Sequence, residues 1–114
     1  AAFRLYELAL RWWPDSASRL IILANQGAAQ LHSGDIEAAI QTLEMVLATE
    51  ERPRLGLKYE AVSRYNLGYA YEKAGEEAKA VAQYCETIEL LPGSLYAKAA
   101  QARLKGRQNI CSRD

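Results

Sequence analysis

Two pairs of glycines constrain this chain more than any other feature. Gly27 precedes Gly34 by seven positions, and Gly68 precedes Gly75 by the same interval. Asn25 and Asn66 stand two residues before the first glycine of each pair. Ala39 and Ala80 stand five residues after the second, so the offset is 41 throughout. A fixed offset in small residues marks a structural unit used twice, because close packing is what demands a small residue at a set place.

Between these marks apolar residues recur every three or four positions, the period of a helix. No segment alternates apolar and polar residues with β-branched enrichment, so no strand is expected. Prolines fall only at 14, 53 and 92. The pattern predicts six helices, over about 1–13, 17–33, 36–50, 54–74, 77–91 and 95–107. Asp15 and Ser16 suit the start of the second, where a side-chain oxygen accepts from free N–H groups. Gly34-Asp35 and Gly75-Glu76 predict tight helix–helix turns, glycine taking the left-handed conformation before an acid at the next N-terminus. Pro53 suits the first turn of the fourth helix.

At 114 residues the chain is one domain with a real core. Lys plus Arg and Asp plus Glu both number 14, which argues against general nucleic-acid binding and leaves room only for local patches. No apolar run is long enough to span a bilayer; the longest, Leu20 to Ala24, reads as buried helix. The first residue is not Met, so an upstream signal or anchor is compatible with the chain. Cys85 and Cys111 match no metal-ligand spacing. The expectation is two reduced thiols in a cytoplasmic protein, a disulfide requiring the tail to fold back.

Catalytic chemistry needs groups that converge. The single histidine, His32, has no visible partner and reads as a helix-end residue. Glu50-Glu51 and Glu76-Glu77 diverge around a helix and read as solvated ends. Phosphate-cradling glycine loops are absent. No catalytic residue, cofactor or metal is expected.

Residues 61–94 carry Leu67, Gly68, Tyr71, Ala80, Tyr84 and Pro92 at set spacings. This stretch resembles the tetratricopeptide repeat, a 34-residue helix–turn–helix with the pattern W-x2-L-G-x2-Y, then A-x3-F, then P. Arg64 departs from the usual Trp, and Thr87 from a usual second Ala. Residues 20–53 resemble a degenerate copy, with Gly27 and Ala39 matching, Leu23 and Leu43 as apolar substitutes, and Gln26, Gln30 and Glu51 departing. Arg54 to Glu60 read as added turns on the fourth helix. Ala2, Tyr6, Ala9 and Pro14 make residues 1–16 resemble the second half of an earlier repeat. Residues 95–107 then resemble a capping helix, with 108–114 a flexible tail.

The resemblance implies an all-α solenoid of antiparallel helix pairs, binding a peptide or helix of a partner protein in a concave groove. Carried over, the groove positions are Ile21, Ala24, Asn25, Ala28 and Leu31, then Val62, Tyr65, Asn66, Tyr69 and Lys73, then Tyr96, Ala99 and Arg103. Tyr65, Tyr69 and Tyr96 offer apolar faces with polar tips, Asn25 and Asn66 can bind a peptide backbone, and Ala24 and Ala28 leave space. Packing between repeats is the alternative role for the tyrosines and asparagines. A subfamily that clamps chaperone carboxylates uses Lys and Asn where this chain has Ala24 and Ala28, and Lys and Arg where it has Tyr96 and Ala100; only Asn66 matches the clamp's middle Asn. An apolar or helical segment is the expected partner, in assembly or recruitment of a larger complex. Basic residues near the C-terminus, Lys98, Arg103, Lys105, Arg107 and Arg113, read first as complements to a helix dipole, a site for an acidic partner being the alternative. The alternative function is self-assembly, with 95–107 of one copy completing a repeat with 1–13 of the next.

Overall fold

Both predicted turns form with the same hydrogen bonds. Ser33 N–H donates to Ala29 O, Gly34 to Leu31 O and Asp35 to Gln30 O; 41 residues on, Ala74 donates to Ala70 O, Gly75 to Glu72 O and Glu76 to Tyr71 O. Gly34 and Gly75 have φ of 84° and 82°. The pattern is the glycine-ended stop that satisfies the last carbonyls of a helix.

The computed structural model describes residues 15–105 and 108–111. Within them lie five α-helices: α1 (Ser16–His32), α2 (Ile36–Ala48), α3 (Leu57–Lys73), α4 (Glu77–Leu90) and α5 (Leu95–Leu104). Two 3-10 turns, Arg52–Leu55 and Gln108–Cys111, complete the described chain, which has no strand. The helix expected at 1–13, with its half-repeat positions, lies outside the described residues. Asp15 caps α1 by accepting from Ser18 N–H at 2.9 Å. Ser94 caps α5 by accepting from Ala97 N–H at 3.0 Å.

Three boundaries differ from expectation. The helix α2 stops at Ala48, with Thr49 extended (ψ 147°). The added turns expected from Arg54 split: Gly56 sits at φ 88°, ψ 153°, a region essentially confined to glycine, and breaks the helix there. Pro53 therefore belongs to the 3-10 turn, whose Leu55 is 3% exposed and packs with Leu20, Ala24 and Val46 between α1 and α2. The helix α5 ends at Leu104 because Lys105 takes the left-handed conformation (φ 54°).

A larger correction concerns the cysteines. Cys85 and Cys111 form a disulfide, with Cα atoms 5.3 Å apart. The left-handed Lys105 turns the chain back, and residues 108–111, expected to be flexible, form a 3-10 turn against α4.

Each helix packs on its neighbours in sequence; α1 also touches α3, and α3 touches α5. One apolar cluster runs through α2 to α5: Leu43, Leu47, Leu67, Tyr71, Ala80, Tyr84, Ala100 and Leu104. Helices α1 and α2 approach where Gly27 faces Leu43, leaving 2.7 Å for a Cβ. Helices α3 and α4 do so where Gly68 faces Tyr84, leaving 2.8 Å. The same contact recurs at the offset of 41.

The departures from the repeat pattern have local explanations. Arg64 donates to Glu60 at 3.1 Å and to Gln83 at 3.2 Å, bridging α3 and α4. Thr87 is wholly buried, and its hydroxyl donates to Gln83 O at 2.8 Å. Gln30, at the position matching Tyr71, is 7% exposed and leaves Oε1 without a protein partner.

Candidate functional site

A row of three helices, α1–α3–α5, follows from the contacts of α3 with both others. On α3 the buried residues Ala61, Ser63, Leu67, Gly68, Ala70 and Tyr71 point into the packing. Val62, Tyr65, Asn66 and Tyr69 are half-buried and Lys73 is exposed; helical spacing places all five on the remaining face. On α5, Tyr96, Ala99 and Arg103 are half-buried and share a face while Ala97, Ala100 and Leu104 are buried. On α1, Ile21 and Ala28 are half-buried and Asn25 is exposed.

Two expected groove residues do not line a surface. Ala24 is 6% exposed, packed with Leu20, Val46 and Leu55. Leu31 is 8% exposed, packed with Ala39 and Ala70. Both belong to the core that joins α1 to α2 and α3, so the room expected at Ala24 is filled. Ala100, at one clamp position, is likewise fully buried.

The best-organised part of the face lies where α3 meets α5. The Arg103 guanidinium carbon is 4.8 Å from the centre of the Tyr69 ring, and Lys73 Nζ is 5.2 Å from it. Both distances suit attraction of a cation to the ring's negative face. Arg103 also donates from Nε to Glu72 Oε1 at 3.2 Å and from Nη2 to Glu72 Oε2. Tyr84 Oη donates to the same Glu72 Oε1 at 2.8 Å. Tyr65 rests on this base, its ring centre 5.7 Å from that of Tyr84. Tyr65 and Tyr69 thus have both roles open to them: each packs against core residues and keeps part of its ring accessible.

The charges follow from these contacts. Partial burial works to raise the Glu72 pKa, but hydrogen bonds from Arg103 and Tyr84 outweigh it and hold the carboxyl below the ordinary glutamate value. Burial, then the Glu72 carboxylate, pushes the Tyr84 hydroxyl up. The hydrogen bond to Glu72 raises Arg103 further, keeping it cationic. Burial raises Tyr65.

Beside this cluster Glu72, Gly75, Glu77, Ala80, Val81, Tyr84, Arg103 and Lys105 line a cavity of about 280 Å³. Among the described residues no three His, Cys, Asp or Glu gather as a metal site, and no helix is long and apolar enough to cross a membrane.

Sequence spacing alone did not single out Glu72. Its partner Arg103 is 31 residues away and Tyr84 is 12 away, so no local motif joins them. A signal existed in the face itself: Glu72 flanks Tyr69 and Lys73 on α3. Compared with family models, curated proteins and solved structures, the chain gives no match.

Proposed function

We propose that this chain is a tetratricopeptide-like binding module that holds a segment of a partner protein along the α1–α3–α5 face and serves in assembling or recruiting a larger complex. One observation carries the reading: the expected groove residues Lys73 and Arg103 meet over the Tyr69 ring, and Tyr65 lies on the same face against Tyr84. Accessible tyrosines held by packing lose little entropy when a partner covers them. The repeated Gly27–Leu43 and Gly68–Tyr84 contacts, and the repeated turns, support a solenoid of helix pairs. The reading is non-enzymatic: the titratable cluster, Glu72 with Arg103 and Tyr84, is tied up in its own hydrogen bonds.

The test fills the groove without touching the core. Ala28→Trp and Ala99→Trp each enlarge a half-buried residue on the face. Each variant should keep its helical signal yet lose the partner that the unaltered chain captures from its source. Equal capture by folded variants would overturn the groove.

The disulfide bears on location. Two free thiols would suit the reducing cytoplasm, but the Cys85–Cys111 pair favours an oxidising compartment. Alkylating the protein as it is extracted should modify neither cysteine until a reductant is added. Labelling of both without reductant would return the protein to a reducing compartment.

A further inference from the structure

The equal numbers of acids and bases conceal a separation between layers. The row α1, α3 and α5 carries Arg19, Lys58, Arg64, Lys73, Lys98 and Arg103 against only Glu60 and Glu72. The covering helices α2 and α4 carry Glu37, Glu44, Glu77, Glu86 and Glu89 against only Lys79. Within the helices, one layer has an excess of four bases and the other an excess of four acids.

The acids of the basic layer are internally neutralised. Glu60 sits between Arg64 at 3.0 Å and Arg52 at 3.7 Å, its side chain 13% exposed. Glu72 accepts from Arg103 and Tyr84. Of the other bases, Arg19 and Lys98 lie off the groove face by helical spacing, whereas Lys58 and Lys73 are both exposed at opposite ends of α3 and on the face that holds Val62, Tyr65 and Tyr69. Lys73 presents its charge over the Tyr69 ring beside the Arg103–Glu72 pair, where half-burial by a partner would strengthen its contact to a carboxylate.

We infer that the α1–α3–α5 face takes an extended acidic segment of a partner protein, its carboxylates meeting Lys58 and Lys73 and its apolar residues lying on Val62, Tyr65 and Tyr69. The inference rests on the groove reading and specifies its ligand. It departs from the apolar or helical partner expected from the sequence. Two exposed lysines at opposite ends of a helix do not form the basic stripe that a phosphate backbone requires. The glutamates of α2 and α4 repel the same segment from the outer surface, so the charge pattern also selects the face.

The experiment uses three short synthetic peptides with one apolar spacing, alternating Leu and Tyr with Glu, with Lys or with Ser. Each is titrated into isotopically labelled protein while backbone amide signals are followed. The Glu peptide should shift signals of Val62, Tyr65, Tyr69, Lys73, Ala99 and Arg103, and its affinity should fall as salt rises. Lys58→Glu and Lys73→Glu, both at exposed positions, should each weaken it by about tenfold, and the Lys peptide should gain on those variants. Equal shifts on this face from the Ser and Glu peptides, insensitive to salt, would keep the groove and overturn the acidic partner. Shifts confined to α2 and α4, or none on α3 and α5 from any peptide, would overturn both. A mass that doubles with concentration and reverts with salt would make the occupant the acidic layer of a second copy, and would also overturn the proposal.

Discussion

At Gly68 the absence of a side chain sets the distance between two helices. A Cβ there would stand 2.8 Å from Cε1 and 2.9 Å from Cδ1 of the Tyr84 ring and 3.3 Å from Ala80 O. The ring also packs on Tyr65 and is held at its tip by Glu72, so it has little freedom to retreat. Gly68→Ala should therefore destabilise by about 1–3 kcal/mol, although alanine is the better helix former. Chemical denaturation decides it; an unchanged or raised midpoint would show that Tyr84 moves aside. Gly27→Ala meets Cγ and Cδ2 of the wholly buried Leu43 at 2.7 Å and should destabilise by a similar amount. Arg64 illustrates what the sequence left obscure. Its place in the repeat pattern was legible, but its bonds to Glu60 and Gln83 depend on a residue 19 positions away across the helix pair. Arg64→Ala removes three polar contacts from a largely buried site and should cost about 1–3 kcal/mol, Arg52 keeping Glu60 partly compensated.

Among the elements, the helix pairs were the most legible part, because Gly34 and Gly75 end α1 and α3 by local backbone chemistry. The start of α3 was not, since "RLGLKYE" has helical composition and only the positive φ of Gly56 separates turn from helix. Gly56→Ala should cost about 1–3 kcal/mol through backbone strain alone, there being open space around its Cβ position. A loss much smaller than that of Gly68→Ala would mean the 3-10 turn simply reforms. The joint between α3 and α5 has a pH signature. The Glu72 carboxyl is depressed in the folded protein, so its stabilisation is present above the ordinary value of 4.5 and lost as pH falls through its lower folded value. The side chain is about a third exposed, so solvent limits the effect to under about 1 kcal/mol. Denaturation midpoints of the unaltered chain and Glu72→Gln should differ at neutral pH and converge in acid. A constant difference across that range would show that the carboxylate charge does not contribute.

On the scale of the molecule, the exposure of the expected groove positions was legible where helical spacing decides it, as at Tyr65, Tyr69 and Lys73. It was obscured where a neighbouring element decides it, as at Ala24, which Leu55 from the inserted turn helps to cover. The disulfide belongs to this scale too, for it depends on where the chain goes after α5. It closes a separation of 26 residues that contains the end of α4 and all of α5, so it restricts the unfolded chain while tying Cys111 to a core that includes Leu104 and Ala100. Its loss should cost about 2–4 kcal/mol. The damage should also be uneven, because each helix rests chiefly on its neighbours in sequence. Reduction, or the Cys85→Ser/Cys111→Ser variant, should speed amide exchange in α5 and the second half of α4 first and leave α1 and α2 nearly as protected as before. Equal acceleration in all five helices would mean that the molecule opens only as a whole. Protection unchanged in α5 would mean that Ala97, Ala100 and Leu104 hold that helix without the crosslink. The first pattern has a functional reading: Arg103 lies on α5, so loosening that helix would carry one of the two cations away from the Tyr69 ring before the rest of the fold is affected.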